Sequence, residues 1–217
     1  IALLLKKLGK EEAFLHFIKK LEKQFPDNAD IYNNLGIYEK EKGYINNSIV
    51  FYEKALKLSP DNACYNANSA NAYRLAGEPN TSQKLFEKAI SLDPFNSEYQ
   101  FNLSLLYLLR GMFDKGWEMY RSRFNVKQAK TIKKNISSSK KPVWNGESLK
   151  GKSLLVYFEQ GIGDTIQFLR YLPWVAKQAK NVSFFCSDDL MPVVEYNAKS
   201  LMIKTIPKGI FNTHDFD

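Results

Sequence analysis

Hydrophobic positions in the first 124 residues return at a fixed interval of 34. Ile18, Tyr52, Phe86 and Tyr120 hold one position of the period, and Leu21, Ala55, Ala89 and Arg123 hold another. The breakers keep the same step: Gly9, Gly43, Gly77 and Gly111, then Pro26, Pro60 and Pro94. Asp27-Asn28, Asp61-Asn62 and Phe95-Asn96 follow the prolines. This pattern predicts two helices per unit, the first broken by glycine and the second stopped by proline. Small residues let the helices cross closely, and aromatic side chains fill the gaps. One such pair cannot bury its apolar face alone, so the units stack into a solenoid with a concave groove.

The chain opens with Ile1-Ala2-Leu3-Leu4-Leu5, without Met and with lysines after rather than before it. That is the wrong polarity for a signal peptide, and it reads as a helix entered midway. The first repeat is therefore incomplete, and more repeats are expected upstream. At the other end of the array, Trp117 and Phe124 are expected to cap the solenoid.

The pattern then changes. Lys127, Lys130, Lys133, Lys134, Lys140 and Lys141 lie in a segment without an acid, read as a solvated connector. Pro142-Val143-Trp144-Asn145-Gly146 reads as an anchor and turn. Ser153-Leu154-Leu155-Val156-Tyr157-Phe158 is a continuous apolar run, as in a parallel strand buried on both faces. A helical pattern follows at Ile166, Leu169, Arg170, Leu172, Val175, Ala176 and Ala179. Val182–Cys186 forms a second strand, Asp188-Asp189 opens a second helix, and Leu201–Ile206 forms a third strand. Strand–helix–strand–helix–strand implies a parallel sheet with right-handed crossovers. The expected division is a solenoid over 1–124, a basic linker over 125–143 and a partial Rossmann-like domain over 144–217. Three strands are too few to complete such a domain, so the chain is expected to stop inside it.

Composition narrows the function. The chain is 44% hydrophobic and 25% charged, as in ordinary globular proteins, and no apolar run nears the roughly 20 residues of a membrane span. Six of the formal +8 charges belong to the connector lysines, with no aromatic residues between them to stack on bases. No specific nucleic-acid partner is expected. Cys64 and Cys186 are solitary, as are His16 and His214, so neither disulfides nor metal ligands are expected, and the chain suits a reducing cytoplasm.

The stretch with candidate chemistry is Glu159-Gln160-Gly161-Ile162-Gly163-Asp164-Thr165, between a strand and a helix. Gly161 and Gly163 would let the backbone turn sharply and approach a ligand. The following helix N-terminus favours phosphate, and Asp164 would sit at the strand's carboxyl end. A dinucleotide fingerprint would need a third glycine where Ile166 stands, so the loop does not indicate NAD. Gly146-Glu147-Ser148-Leu149-Lys150-Gly151-Lys152-Ser153 spells a phosphate-binding loop, but the strand follows it instead of preceding it, which argues against an ATPase.

The repeat period, its small and aromatic positions and its terminal proline resemble the tetratricopeptide repeat. Departures are Ser69-Ala70 in place of Leu-Gly, and Pro79 in the first turn of a second helix. Asn34, Asn68 and Asn102 recur at 34 residues, at a position that lines the concave surface in that family. Amides there would pair with an extended peptide backbone; the other reading is a chain merely rich in Asn, as Asn33, Asn66 and Asn71 suggest.

Trp144-x-Gly146, Gly151-Lys152, the string from Glu159 to Phe168 and Arg170-Tyr171-Leu172-Pro173 together resemble bacterial tetratricopeptide-repeat proteins fused to a glycosyltransferase-like domain. That domain is related to the heptosyltransferases and, more distantly, to the O-linked N-acetylglucosamine transferases. The resemblance implies a GT-B architecture, two Rossmann-like domains facing a cleft, with only the start of the first present here. It makes Asp164 the catalytic base, against an alternative in which Asp164 caps the helix. It makes Glu159, Gln160, Gly161, Gly163, Thr165, Gln167 and Arg170 substrate-binding or supporting residues. The partners implied are a protein or peptide in the groove, a nucleotide-sugar donor, which is a substrate and not a cofactor, and a glycan or protein acceptor. The expected function is a glycosyltransferase whose repeats recruit its acceptor, inactive without its donor-binding half. The alternative is a non-catalytic adaptor.

Overall fold

Glycine and proline set the helix ends throughout the repeats. Gly9, Gly43, Gly77 and Gly111 have φ of 68°, 84°, 81° and 73°, a left-handed backbone that ends one helix and starts the next. The computed structural model describes residues 5, 8–126, 142–158, 161–198 and 204–206, in two units, Ile1–Ala129 and Lys130–Asp217.

The first unit holds α1 (Glu11–Gln24), α2 (Ala29–Glu41), α3 (Ile45–Leu58), α4 (Ala63–Leu75), α5 (Pro79–Leu92), α6 (Ser97–Leu109) and α7 (Phe113–Tyr120). A 3-10 turn, Arg121–Asn125, follows. The asparagines behind the prolines are helix caps. Asn28 and Asn96 accept from the N–H groups of Asp30 and Glu98 at 3.0 and 3.2 Å, and Asn62 accepts from Tyr65 at 3.2 Å. Pro79 sits in the first turn of α5, where its missing N–H costs nothing.

The helices of a repeat cross at the small positions. A Cβ on Gly36 would lie 2.6 Å from the Tyr52 ring, which is fully buried. One repeat on, Ala70 and Phe86 hold the same two positions and are equally buried. Ser69, standing where Leu35 and Leu103 stand, is buried with its hydroxyl unpartnered among the described residues.

The end of the array differs from expectation. Trp117 is 55% exposed and meets Tyr120 edge-on at 5.5 Å, so it does not close the core. Tyr120 packs instead on Phe101, at 5.6 Å. Arg123 keeps the register of Ala55 and Ala89 but not their buried place, because α7 has already tightened into the 3-10 turn. Its guanidinium lies over the Tyr120 and Phe124 rings, at 4.7 and 3.9 Å. The connector lysines from Lys127 to Lys141 lie outside the described residues.

The second unit contains β1 (Ser153–Tyr157), α8 (Ile162–Leu169), α9 (Leu172–Ala176), β2 (Asn181–Phe185), a 3-10 turn (Asp188–Leu190), α10 (Met191–Ala198) and β3 (Lys204–Ile206). The strands form a small parallel sheet in the order β1-β2-β3, with Leu154 opposite Val182 and Phe184 opposite Thr205. Leu154, Val156, Val182 and Phe184 pack with Leu172, Val175, Leu190 and Val194. Trp144 packs against this core and donates its indole N–H to the Glu147 carbonyl at 2.8 Å. Gly146 and Gly151, with φ of 99° and 76°, turn the chain into β1. The sequence that imitates a phosphate loop therefore ends where a strand begins.

Two expectations are corrected here. β1 is half-buried along its whole length instead of fully buried, while β2 is buried from Val182 to Phe185. The apolar pattern from Ile166 to Ala179 is not one helix. Pro173 has no N–H to continue α8, so α9 starts afresh with the proline in its first turn. Ile166, the first apolar position of that pattern, is 48% exposed.

Substitutions at two glycines separate close packing from open space. Gly36→Val should lower stability by about 1–3 kcal/mol, because its side chain meets the Tyr52 ring. Gly163→Ala, whose Cβ meets nothing within 4 Å, should raise helix stability by up to about 1 kcal/mol. Urea denaturation followed by circular dichroism tests both; a neutral Gly36→Val would refute the crossing argument.

Candidate functional site

Hydrogen bonds between neighbouring first helices fix the face on which Asn34, Asn68 and Asn102 stand. Tyr65 donates its hydroxyl to Asp30 at 2.6 Å, and Asn68 donates to the Asn33 side-chain oxygen at 2.9 Å. Both links run from α4 to α2. Asn68 also lies 3.5 Å from the Cys64 sulfur. Asn34 and Asn102 are half-buried on α2 and α6, with no side-chain hydrogen-bond partner among the described residues.

The surrounding asparagines have other tasks. Asn66, 1% exposed, donates to the Pro60 and Asn62 carbonyls at 2.9 and 2.8 Å and ties α4 to the turn before it. Asn71 donates to the Ala67 carbonyl, and Asn33 receives Asn68. The three positions at the 34-residue step are thus unequal: the Asn68 amide is engaged inside the fold, while those of Asn34 and Asn102 are open.

A second set of links joins the second helices α1, α3 and α5 to the next repeat. Tyr73 donates to Glu53 at 2.5 Å, and Tyr107 donates to Glu87 at 3.1 Å. At the start of the array, Tyr38 donates to Glu11, which also holds Lys42 at 2.5 Å. Tyr73 and Tyr107 also recur at 34 residues, a signal present in the sequence but readable only once the helices are paired in space. Tyr38 is pushed up to about 12 chiefly by its bond to Glu11. Tyr73 and Tyr99 are pushed up to about 12 chiefly by burial.

In the second unit, Gly161 is the N-cap of α8 with φ −62°, an extended backbone open to any residue, and Gly163 lies within the helix. Neither needs glycine for its backbone angle, which corrects the sharp-turn expectation. What they provide is space, since Gly163 has nothing within 4 Å of its missing Cβ and Gly161 only the Asp164 carboxylate at 4.0 Å.

Asp164 is exposed in the first turn of α8 and makes no side-chain cap, so the cap alternative does not describe it. Thr165 is buried, and its hydroxyl donates to the Gly161 carbonyl at 3.1 Å. That bond braces the helix start. Gln167 and Arg170 are exposed, with Arg170 Nε donating to the Gln167 carbonyl at 2.8 Å. Glu159 and Gln160 lie outside the described residues, as does His214. No group of metal-ligating side chains occurs among the described residues.

Comparison with known proteins places the repeats. Residues 29–62 and 65–96 match one tetratricopeptide-repeat family model, and residues 85–118 match another. Protein FlbA of Caulobacter vibrioides is 31% identical over 104 residues, which span 48% of this chain and 16% of FlbA. Among solved structures, MamA superposes with a TM-score of 0.53 at 23% identity, over 59% of this chain and 75% of MamA. YrrB, described as a TPR protein with an unusual peptide-binding site, gives 0.51 at 18% identity, over 60% and 68%. The first unit carries tetratricopeptide repeats, which imply protein–protein interaction. No helix among the described residues is long and apolar enough to cross a membrane.

The raised tyrosines set an alkaline limit. Unfolded, they would ionise near 10, whereas in the fold Tyr38, Tyr73 and Tyr99 hold their protons to about 12. Their contribution to stability is complete below pH 10 and is lost as pH rises from 10 to 12. The urea midpoint should fall across that window, and less steeply in Tyr73→Phe. A midpoint independent of pH there would contradict the assignment.

Proposed function

We propose that this chain is the partner-recruiting arm and the opening segment of a cytoplasmic glycosyltransferase. The observation that carries the recruiting role is the pair of open amides, Asn34 and Asn102, on a face where the intervening Asn68 is fixed from within. An amide donates and accepts at once, so it pairs with an extended peptide backbone of any sequence. YrrB, which shares the fold, is described as having a peptide-binding site.

The transferase role rests on the loop after β1. Asp164 offers an exposed carboxylate, and the Thr165–Gly161 bond keeps the helix start in place. Gly161 and Gly163 leave room for a substrate. In the reaction, Asp164 takes the proton of an acceptor hydroxyl as that oxygen bonds to the anomeric carbon. The bond from that carbon to the nucleotide diphosphate breaks, and the diphosphate leaves with the electron pair. Glu159, Gln160, Gln167 and Arg170 would hold sugar hydroxyls or support the loop. The solenoid and this segment would belong to a GT-B enzyme whose donor half is supplied by further chain. A non-catalytic adaptor is the second reading, supported by the tetratricopeptide-repeat matches over residues 29–62, 65–96 and 85–118.

One experiment tests the recruiting role and a second decides between the transferase and the adaptor. Replacing Asn34, Asn68 and Asn102 together with Ala should weaken capture of a verified partner while helicity persists, with each lost hydrogen bond worth about 0.5–1.5 kcal/mol. Unchanged capture would remove the peptide role. In the full-length protein with its own donor and acceptor, Asp164→Asn should cut transfer by about 10²–10⁴-fold with melting temperature unchanged. Near-normal turnover would rule out Asp164 as the base, and absence of transfer by the unmodified full-length protein would leave the adaptor.

A further inference from the structure

Two junctions of the solenoid are closed by the same pair of residue types. Glu53 of α3 receives Tyr73 of α4, and Glu87 of α5 receives Tyr107 of α6. In each case the glutamate marks the side of a second helix on which the next first helix lands. The next position in this series, 34 residues beyond Glu87, is Arg121. Arg121 is the C-cap of α7 and keeps helical backbone, with φ −58° and ψ −25°, so by register the end of the array carries an arginine where its inner junctions carry a carboxylate.

Arg121, exposed, is one of the residues that line a cleft. Gln100 lines it from α6, Lys115, Glu118 and Met119 line it from α7, and Ser122 lines it from the 3-10 turn. Ser122 is 8% exposed, and its hydroxyl has no partner among the described residues. Neither Lys115 nor Arg121 has an ion-pair partner there, and Glu118 is the one acid in the lining. The cleft thus has two cations to one acid, with an unsatisfied hydroxyl in its wall.

In register, the continuing sequence does not carry the matching residue types. Counting on by 34, the position of Tyr107 falls on Lys141, which would set one cation against another. The other markers lapse too, with Gln128 at the proline position and Asn145 at the glycine position. At the first junction, the same two register positions hold Lys19 and Glu39. A cation followed by a carboxylate is therefore already present in this chain's repeat register.

We propose that the α6–α7 end of the solenoid docks an acidic amphipathic helix of a partner protein. Its carboxylate would occupy the place of the Tyr73 and Tyr107 hydroxyls and pair with Arg121, with Lys115 and the Ser122 hydroxyl close by. Arginine suits this role because its planar fork of donors matches a carboxylate. The surface is separate from the asparagine face, and its occupant need not be the peptide proposed for that face.

The test uses a charge swap. The probe is a helix-stabilised synthetic peptide of residues 28–43, an existing first helix that carries Glu39 at the matching position. Its binding to the 217-residue chain is read by fluorescence anisotropy. Binding should weaken about fivefold, the range of one exposed ion pair, when either Glu39→Lys is made in the peptide or Arg121→Glu in the chain. Combining the two changes should restore it. Arg121→Gln, which keeps hydrogen-bonding capacity without charge, serves if Arg121→Glu unfolds the turn, and should also weaken binding. A peptide that does not bind, or losses that add without restoration, would overturn the proposal.

Discussion

The repeat unit depends on how closely two helices can cross. At Gly36 the Tyr52 ring lies where a methyl group would otherwise be, and the α2–α3 pair closes around that contact. The tyrosine ring can be fully buried only because its neighbour has no side chain. From this follow the spacing of the helices and the sheltering of Ala55. One repeat on, Ala70 and Phe86 solve the same problem with a different division of volume. Packing at near-crystalline density tolerates such exchanges when the total volume is conserved.

Much of the first unit was legible because its determinants are local. A glycine with positive φ and a proline without N–H act where they stand, so the helix limits follow from single residues. The caps at Asn28, Asn62 and Asn96 were equally local, but their chemistry is easily lost in a chain with many asparagines. Arg123 shows where a periodic register stops being informative. The position persists after the helix that gave it meaning has tightened, and the side chain then serves as a cation over two rings.

The second unit was less legible because burial depends on what lies opposite. The run from Ser153 to Phe158 has the composition of a strand buried on both faces, yet β1 is only half-buried. The run from Ile166 to Ala179 has helical spacing on both sides of Pro173, and one missing N–H decides where it breaks. At the site, residue types were chemically informative but their roles were not. Thr165 reads as a ligand contact in sequence, and the brace it also makes, from its hydroxyl to the Gly161 carbonyl one turn back, is visible only in space. Asp164 is next to it in sequence but remains open to solvent.

The phenol–carboxylate links between repeats bear on how the array comes apart. A solenoid's stability is close to a sum of unit terms and nearest-neighbour terms, so anything that strengthens a junction couples the melting of the units on either side. Tyr65 with Asp30, Tyr73 with Glu53 and Tyr107 with Glu87 place such couplings along the middle of the first unit. Beyond Tyr107 no further such link occurs among the described residues. Fraying should begin at α7 and travel inward against increasing resistance, leaving α2 to α6 as the segment that opens last.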